Sequence, residues 1–213
     1  MRPWRIHPEG RPWVAGGVLG AGLLALSGRR WAAQGAALTA LALAYFFRDP
    51  ERYPPLPTEA VVSPADGEVL LVRQEEEPRW MEGPAWRIGI FMSLRDVHIN
   101  RAPVAAHLVR LEHRPGEFLP AYREEAAQHN EQRLYFLERA NGQRVLLIQI
   151  AGILARRTVP FVRPGDDLQR GQRLGLIRFG SRVEVFLPPT VHPLVAPGHR
   201  VHAGETPIAW WSS

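Results

Sequence analysis

Pro164-Gly165-Asp166-Asp167-Leu168-Gln169-Arg170-Gly171 returns 33 positions later as Pro197-Gly198-His199-Arg200-Val201-His202-Ala203-Gly204. Each copy opens on a Pro-Gly turn, places one apolar residue (Leu168, Val201) inside it, and closes on glycine, the pattern of a short strand held between two tight turns. Two such units suggest a barrel-sandwich built of interlocking halves. The competing reading is a chance recurrence of the turn in a chain with 20 Pro and 19 Gly. Around the echo, short β-type runs alternate with Gly and Pro turns from Tyr53 to the end. The spacing predicts strands over Gly67 to Val72, Trp86 to Met92, Arg133 to Glu138, Arg144 to Ile150, Leu174 to Phe179, Val183 to Leu187 and Pro207 to Trp211, with a short helix or ordered loop over Pro120 to Gln128. The expected class is therefore β-rich, all-β to α+β, with a barrel-sandwich-like domain over residues 53–213.

Residues 1–52 have another texture. Two uncharged apolar runs, 13–28 and 31–47, are split by Arg29 and Arg30 and closed by Arg48. Each is at or just below the roughly 17 to 25 residues that cross a bilayer as a helix. A secretory signal would explain the first run only, and no small-residue cleavage site follows it. A membrane-associated helical hairpin accounts for both; two Ala-rich helices packed on the soluble domain are the alternative. Trp13, Trp31, Tyr45 and the flanking Arg residues match an interfacial belt. The outer Arg residues predict both ends, and with them the domain over residues 53–213, on the cytoplasmic side of the cell membrane. Pro54, Pro55 and Pro57 then form a stiff linker.

Composition excludes several chemistries. All 26 cationic side chains among the 213 residues are Arg, and there is no Cys. Without Lys the chain cannot hold pyridoxal phosphate, carry lipoyl or biotin, or form a P-loop. Without Cys it has no disulfide, thiolate nucleophile or iron-sulfur ligand. The net charge of +5 suits an acidic partner; a nucleic acid is not expected, and a homo-oligomer is compatible with the sequence.

Four segments carry chemistry. Ser63-Pro64-Ala65-Asp66-Gly67 puts a carboxylate in the turn before a strand. Ser93 to Pro103 packs Arg95, Asp96, His98, Asn100 and Arg101 into a strand end, a common setting for a site. Gln149 to Arg157 sets small residues before the pair Arg156 and Arg157, suited to close backbone approach and an anionic group. In Arg178-Phe179-Gly180-Ser181-Arg182, a hydroxyl follows a Gly carbonyl. If the backbone is strained there, Ser181 Oγ can attack that carbonyl with no Cβ in its way.

Together these segments resemble the phosphatidylserine decarboxylase family, specifically its short branch: Phe46 to Arg52 (FFRDPER), Ser63 to Gly67 (SPADG), Phe91 to Pro103 (FMSLRDVHINRAP), His129 to Glu131 (HNE), Gln149 to Arg157 (QIAGILARR) and Phe179 to Pro188 (FGSRVEVFLP). The resemblance implies a membrane-associated proenzyme that cuts itself at Gly180-Ser181 into 1–180 and 181–213, which stay associated. It implies that Ser181 becomes a covalent pyruvoyl cofactor, which decarboxylates phosphatidylserine to phosphatidylethanolamine through a Schiff base. An internal pyruvoyl group agrees with the absence of Lys, since the carbanion left by CO2 needs an electron sink.

The resemblance makes Gly180, Ser181, Asp66 and His98 the catalytic residues and Asn100, Arg101 and Arg156 the substrate-binding ones, beside an anionic membrane surface; no metal is implied. Longer bacterial members carry a second His where this chain has Arg101, thought to pair with the Asp matching Asp66 during cleavage. Here either His98 serves both steps, with Asp66 orienting its ring, or another His such as His192 enters the site. Two rival classes remain: a non-catalytic barrel-sandwich binding module anchored to the membrane, and a metallopeptidase, for which the HEXXH pattern is missing.

Overall fold

The protein, seen as a computed structural model, is described for residues 4–153, 158–177 and 180–212. It comprises two compact units, residues 1–51 and 52–213. In the first, β1 (Trp4–Ile6) pairs antiparallel with β2 (Arg48–Pro50), and between them run α1 (Arg11–Leu26) and α2 (Arg30–Phe46). The two helices approach at small residues: a Cβ on Gly17 would lie 2.9 Å from that of Ala40. Their outer faces leave Leu19, Leu23, Leu26, Trp31, Leu38 and Leu41 uncovered. Among the described residues no helix is long and apolar enough to cross a membrane.

The second unit is β-rich. Its strands are β3 (Ala60–Val62), β4 (Gly67–Glu77), β5 (Gly83–Met92), β6 (Ile99–Arg101), β7 (Ala106–Arg114), β8 (Gln132–Glu138), β9 (Arg144–Ile150), β10 (Thr158–Pro160), β11 (Asp167–Leu168), β12 (Arg173–Ile177), β13 (Ser181–Leu187), β14 (Val191–Pro193), β15 (Arg200–Val201) and β16 (Pro207–Trp211), with the one-turn helix α3 (Ala126–His129) before β8. The main sheet has the order β11-β7-β8-β9-β13-β5-β4-β15, and two three-stranded sheets, β10-β12-β6 and β14-β16-β3, complete the unit.

The echo in the sequence is structural. The two-residue strands of its copies, β11 and β15, close opposite edges of the main sheet. Gly165 N donates to Leu108 O and Leu108 N to Asp166 O; in the other copy Gly198 N donates to Val69 O and Val69 N to His199 O. Both receiving strands shift register beside these contacts, between Leu108 and Arg110 and between Val69 and Leu71. Leu168 and Val201 enter the same core. Gly165 (φ 95°) and Gly198 (φ 89°) adopt the left-handed conformation that the turns require.

The central strands are buried on both faces. Ser181, Val183, Val185 and Leu187 lie on one side of β13, and the three valine and leucine side chains join the larger core with Ile88, Ile90, Met92, Leu137 and Leu147. Phe186 leaves the other side for a smaller cluster with Leu134, Phe136, Leu146 and Ile148. Several predicted strands are longer than expected, and β7 falls in none of them, because polar and charged residues interrupt its apolar pattern at His107, Arg110 and Glu112. The short helix or ordered loop expected over 120–128 is a loop that ends in the single turn of α3. Ahead of it the chain runs in turns, with Glu124 drawn to Arg73, Arg87 and Arg182. Residues 178 and 179 of another expected strand lie outside the described residues.

Candidate active site

Gly180 precedes and Ser181 starts β13, the strand between β9 and β5. Gly180 has φ 60°, a left-handed conformation that favours glycine. Ser181 faces the core, fully buried, opposite Met92 on β5, and its hydroxyl donates to Met92 Sδ at 3.4 Å. A thioether is a weak acceptor, so this hydroxyl gives up little by turning to another partner. The Gly180 carbonyl is closely backed: a Cβ on Gly152 would lie 2.2 Å from its oxygen. The small residues after Gln149 thus serve the close backbone approach their type suggested.

His98, fully buried just before β6, meets this peptide. Gly180 N donates to His98 Nε2 at 3.2 Å, while His98 Nδ1 lies 2.9 Å from the carbonyl oxygen of Asp96. A carbonyl can only accept, so Nδ1 carries the proton and Nε2 keeps the lone pair that faces Gly180. The Asp96 carboxylate is occupied by Ser93, whose N–H and hydroxyl it accepts at 2.8 and 2.7 Å, and by Arg200 at 2.5 Å; these bonds hold the loop that aims the ring.

Asn100 shares the site through a buried polar chain. Tyr135 OH donates to Gln149 Oε1 at 2.9 Å, Gln149 Nε2 to Asn100 Oδ1 at 2.8 Å, and Asn100 Nδ2 to the Met92 sulfur at 3.4 Å. Burial holds the Tyr135 hydroxyl above its ordinary value, so it remains a neutral donor. Gly175 makes room for the chain, since a Cβ there would come within 2.7 Å of Tyr135 OH. Tyr135, Gln149 and Met92 are not among the candidate site residues of the sequence, although Met92 and Gln149 lie within its segments 91–103 and 149–157. Gln149 carries the one available signal, a polar side chain inside the apolar run Val145 to Ile150.

Asp66 and Arg101 are also bonded to residues outside this group. The Asp66 carboxylate accepts from Ala203 N at 2.7 Å and from Arg52 Nη2 at 3.0 Å, with His202 Nδ1 at 3.7 Å. It is not hydrogen-bonded to His98, whose ring is oriented instead by the Asp96 carbonyl; Arg52 and the Ala203 backbone N–H already hold the carboxylate. Arg101 follows Asn100 on β6 and leaves by the opposite face, because successive strand residues alternate. Its Nη1 donates to Gly171 O at 2.9 Å, and its side chain runs along Gly204. His192 sits exposed on β14. Arg156 lies outside the described residues.

Beside Gly180 opens a cavity of about 430 Å³ with largely apolar walls, formed by Phe91, Leu94, Pro120, Ala121, Tyr122 and Ile153. Among the described residues no group of three or more His, Cys, Asp or Glu side chains could hold a metal ion. The arrangement offers a buried hydroxyl next to a glycine carbonyl, an imidazole with its lone pair toward that glycine, and an amide donor beside the hydroxyl, all bordering an apolar opening.

The family model described as phosphatidylserine decarboxylase matches residues 39–209. Over 212 residues the chain is 50% identical to the phosphatidylserine decarboxylase proenzyme of Symbiobacterium thermophilum, covering 98% of this chain and 96% of that one. It is 44% identical over 219 residues to the protein of the same name from Novosphingobium aromaticivorans, covering 96% and 86%. To that of Gluconacetobacter diazotrophicus it is 40% identical over 215 residues, covering 96% and 94%.

Proposed function

Since the chain belongs to the phosphatidylserine decarboxylase family, we propose that it is a proenzyme that cuts itself at Gly180-Ser181 and then decarboxylates phosphatidylserine to phosphatidylethanolamine. The observation that carries this reading is the convergence of His98 Nε2 on Gly180, directly before the buried hydroxyl of Ser181.

Self-cleavage begins when Ser181 Oγ adds to the Gly180 carbonyl carbon. The peptide C–N bond breaks as the nitrogen takes up a proton, leaving an ester between Gly180 and Ser181. His98 Nε2 is the group to accept the hydroxyl proton and return it to nitrogen, with Nδ1–H anchored on Asp96 O so that the basic atom faces the peptide. Loss of the Ser181 α-proton expels the Gly180 carboxylate, and hydrolysis of the resulting enamine releases ammonia and leaves a ketone, the pyruvoyl group.

The surroundings fit a pyruvoyl group at position 181. Asn100 spends an amide N–H on the Met92 sulfur, so a carbonyl there gains a better-matched donor. Bound in this way, the group supplies the electron sink for decarboxylation. Asn100 orients it, held in turn by Gln149 and Tyr135. His98 delivers a proton to the substrate carbon after CO2 leaves, and the walls built by Phe91, Leu94, Tyr122 and Ile153 keep water from that carbon. Asp66 acts on the C-terminal fragment by holding Ala203 N, with Arg52 bracing the carboxylate, and Arg101 holds Gly171 within the larger fragment. Arg156 is the residue proposed for the anionic headgroup.

The fragments 1–180 and 181–213 remain associated in this reading, and the strand pairing supports it: the smaller one supplies β13 at the centre of the main sheet, β15 at its edge, and β14 and β16 of a second sheet. The uncovered leucines and tryptophans of the N-terminal hairpin support its insertion into the cytoplasmic face of the cell membrane, beside anionic lipid. Removing residues 1–48 should free the protein from membranes and leave self-cleavage intact; unchanged membrane association after the deletion rejects the hairpin's role.

The decisive experiment is the mass of the purified protein under denaturing conditions. Two chains are expected, the smaller beginning with a carbonyl that reacts with phenylhydrazine, whereas Ser181→Ala should give one inactive chain of 24.0 kDa. An uncut wild-type protein with decarboxylase activity would reject the mechanism.

A further inference from the structure

Arg182, the residue bonded to Ser181, is a fully buried cation on the opposite face of β13 from the reacting side chain. Its Nη2 lies 2.7 Å from Glu184 Oε1 and 3.1 Å from Glu124 Oε2, and its Nη1 donates to the carbonyl of Arg123 at 3.4 Å. Space for the guanidinium exists because β5 carries glycine beneath it; a Cβ on Gly89 would come within 3.3 Å of Nη2. Arg182 Nε is the buried side-chain nitrogen without a hydrogen-bond partner among the described residues. A buried cation with an unsatisfied donor is costly, so stability alone is a weak reason for it.

Its partners give it another purpose. Arg123 and Glu124 directly follow Pro120, Ala121 and Tyr122, which form one wall of the apolar cavity at Gly180. Glu124 is gripped from the sheet by Arg87 at 2.9 Å and Arg73 at 2.8 Å as well. Tyr122 meets Phe91 edge to face at 6.0 Å, and Phe91 is the ladder partner of Arg182 on β5. One guanidinium thus fastens the cavity wall to the residue next to the reacting group.

The fastening gains weight once the chain is cut. Before cleavage Ser181 is tied covalently on both sides. Afterwards the chain starts at residue 181, and its pairing with β9 starts only at Arg182, opposite Ile150. Resting on the self-cleavage reading above, we propose that Arg182 is a positioning residue of the mature enzyme: with Glu124 it holds the pyruvoyl-bearing terminus in register with the wall of the apolar cavity at Gly180.

The test compares Arg182→Met and Glu124→Gln, each in the self-cleaving chain and in the uncut Ser181→Ala chain, with phosphatidylserine vesicles as substrate. Both self-cleaving variants should cut and carry the carbonyl in full yield, yet lose about ten-fold or more in kcat/KM, because small misplacements of a reacting group are expensive. Their carbonyl should react faster with phenylhydrazine as the terminus loosens. The fall in Tm should be larger in the cut protein than in the uncut one, and Arg182→Lys should recover part of kcat/KM. Wild-type kcat/KM in a variant that carries the carbonyl overturns the proposal, as do equal Tm losses in cut and uncut chains with unchanged phenylhydrazine reactivity. Should Arg182→Met fail to fold, Glu124→Gln decides alone, since that carboxylate is half-exposed. A wild-type protein without the carbonyl instead overturns self-cleavage itself, before any variant is compared.

Discussion

The backbone N–H of Gly180 donates a 3.2 Å hydrogen bond to His98 Nε2, joining the peptide before the scissile bond to the imidazole best placed to act on it. If this one ring serves both chemical stages, His98→Ala should accumulate as the uncut chain, with cleavage slowed by about 10² to 10⁴. The check is the time course of the two fragments after synthesis. Normal cleavage to an inactive mature enzyme would assign the first step to another base, and wild-type rates in both steps would remove His98 from the mechanism.

Gly152→Ala probes the scissile carbonyl from its other side. The added Cβ would fall 2.2 Å from Gly180 O, far inside van der Waals contact, so the carbonyl must move. Overpacking of this kind costs about 1–3 kcal/mol, which a folded domain tolerates. Self-cleavage should nonetheless slow by about 10² through misalignment. A variant with native circular dichroism that cleaves at the wild-type rate would show that the carbonyl's position is not critical.

Asp66→Asn separates scaffold from proton relay. Its carboxylate binds Arg52 and Ala203 N and not His98, so the variant should lose about 3–5 kcal/mol from a broken buried pair while still cutting itself at temperatures where it is folded. Thermal melts and fragment yield measured side by side decide this. Loss of cleavage in a folded Asp66→Asn protein would put Asp66 in the relay.

Glu77 should make the β domain acid-sensitive. Burial pushes its carboxyl up, but the Arg79 guanidinium and the N–H groups of Met81 and Trp80 outweigh that and hold it below the usual carboxylate range. The folded value therefore lies below the unfolded one, so the stabilisation is complete above about pH 4.5 and drains away as pH falls through the folded value. The Tm gap between wild type and Glu77→Gln should be constant near neutrality and close in acid. A gap that is flat down to pH 3 would contradict it.

Much of this architecture was legible along the chain because its causes are local. Pro-Gly turns impose the left-handed glycines at 165 and 198, apolar runs mark β9 and β16 to the residue, and the Gly-Ser step is a property of adjacent residues. The charged residues of β7 hid a strand, and the segment 120–125 is held in turns by Arg side chains that its own sequence does not contain.

The sequence by itself determined the two-part chain, the β-rich class, the paired turn units and a short set of residues fit for the chemistry. Only the tertiary structure decided which of them meet. His98 reaches Gly180 across 82 positions and Arg182 reaches Glu124 across 58, through sheet pairings that no local pattern records. Asn100 and Arg101, adjacent in sequence, part company because a strand turns successive side chains to opposite faces. The register of β6 in the fold then gave Asn100 to Gln149 and to Met92, the residue that Ser181 also bonds, and Arg101 to Gly171.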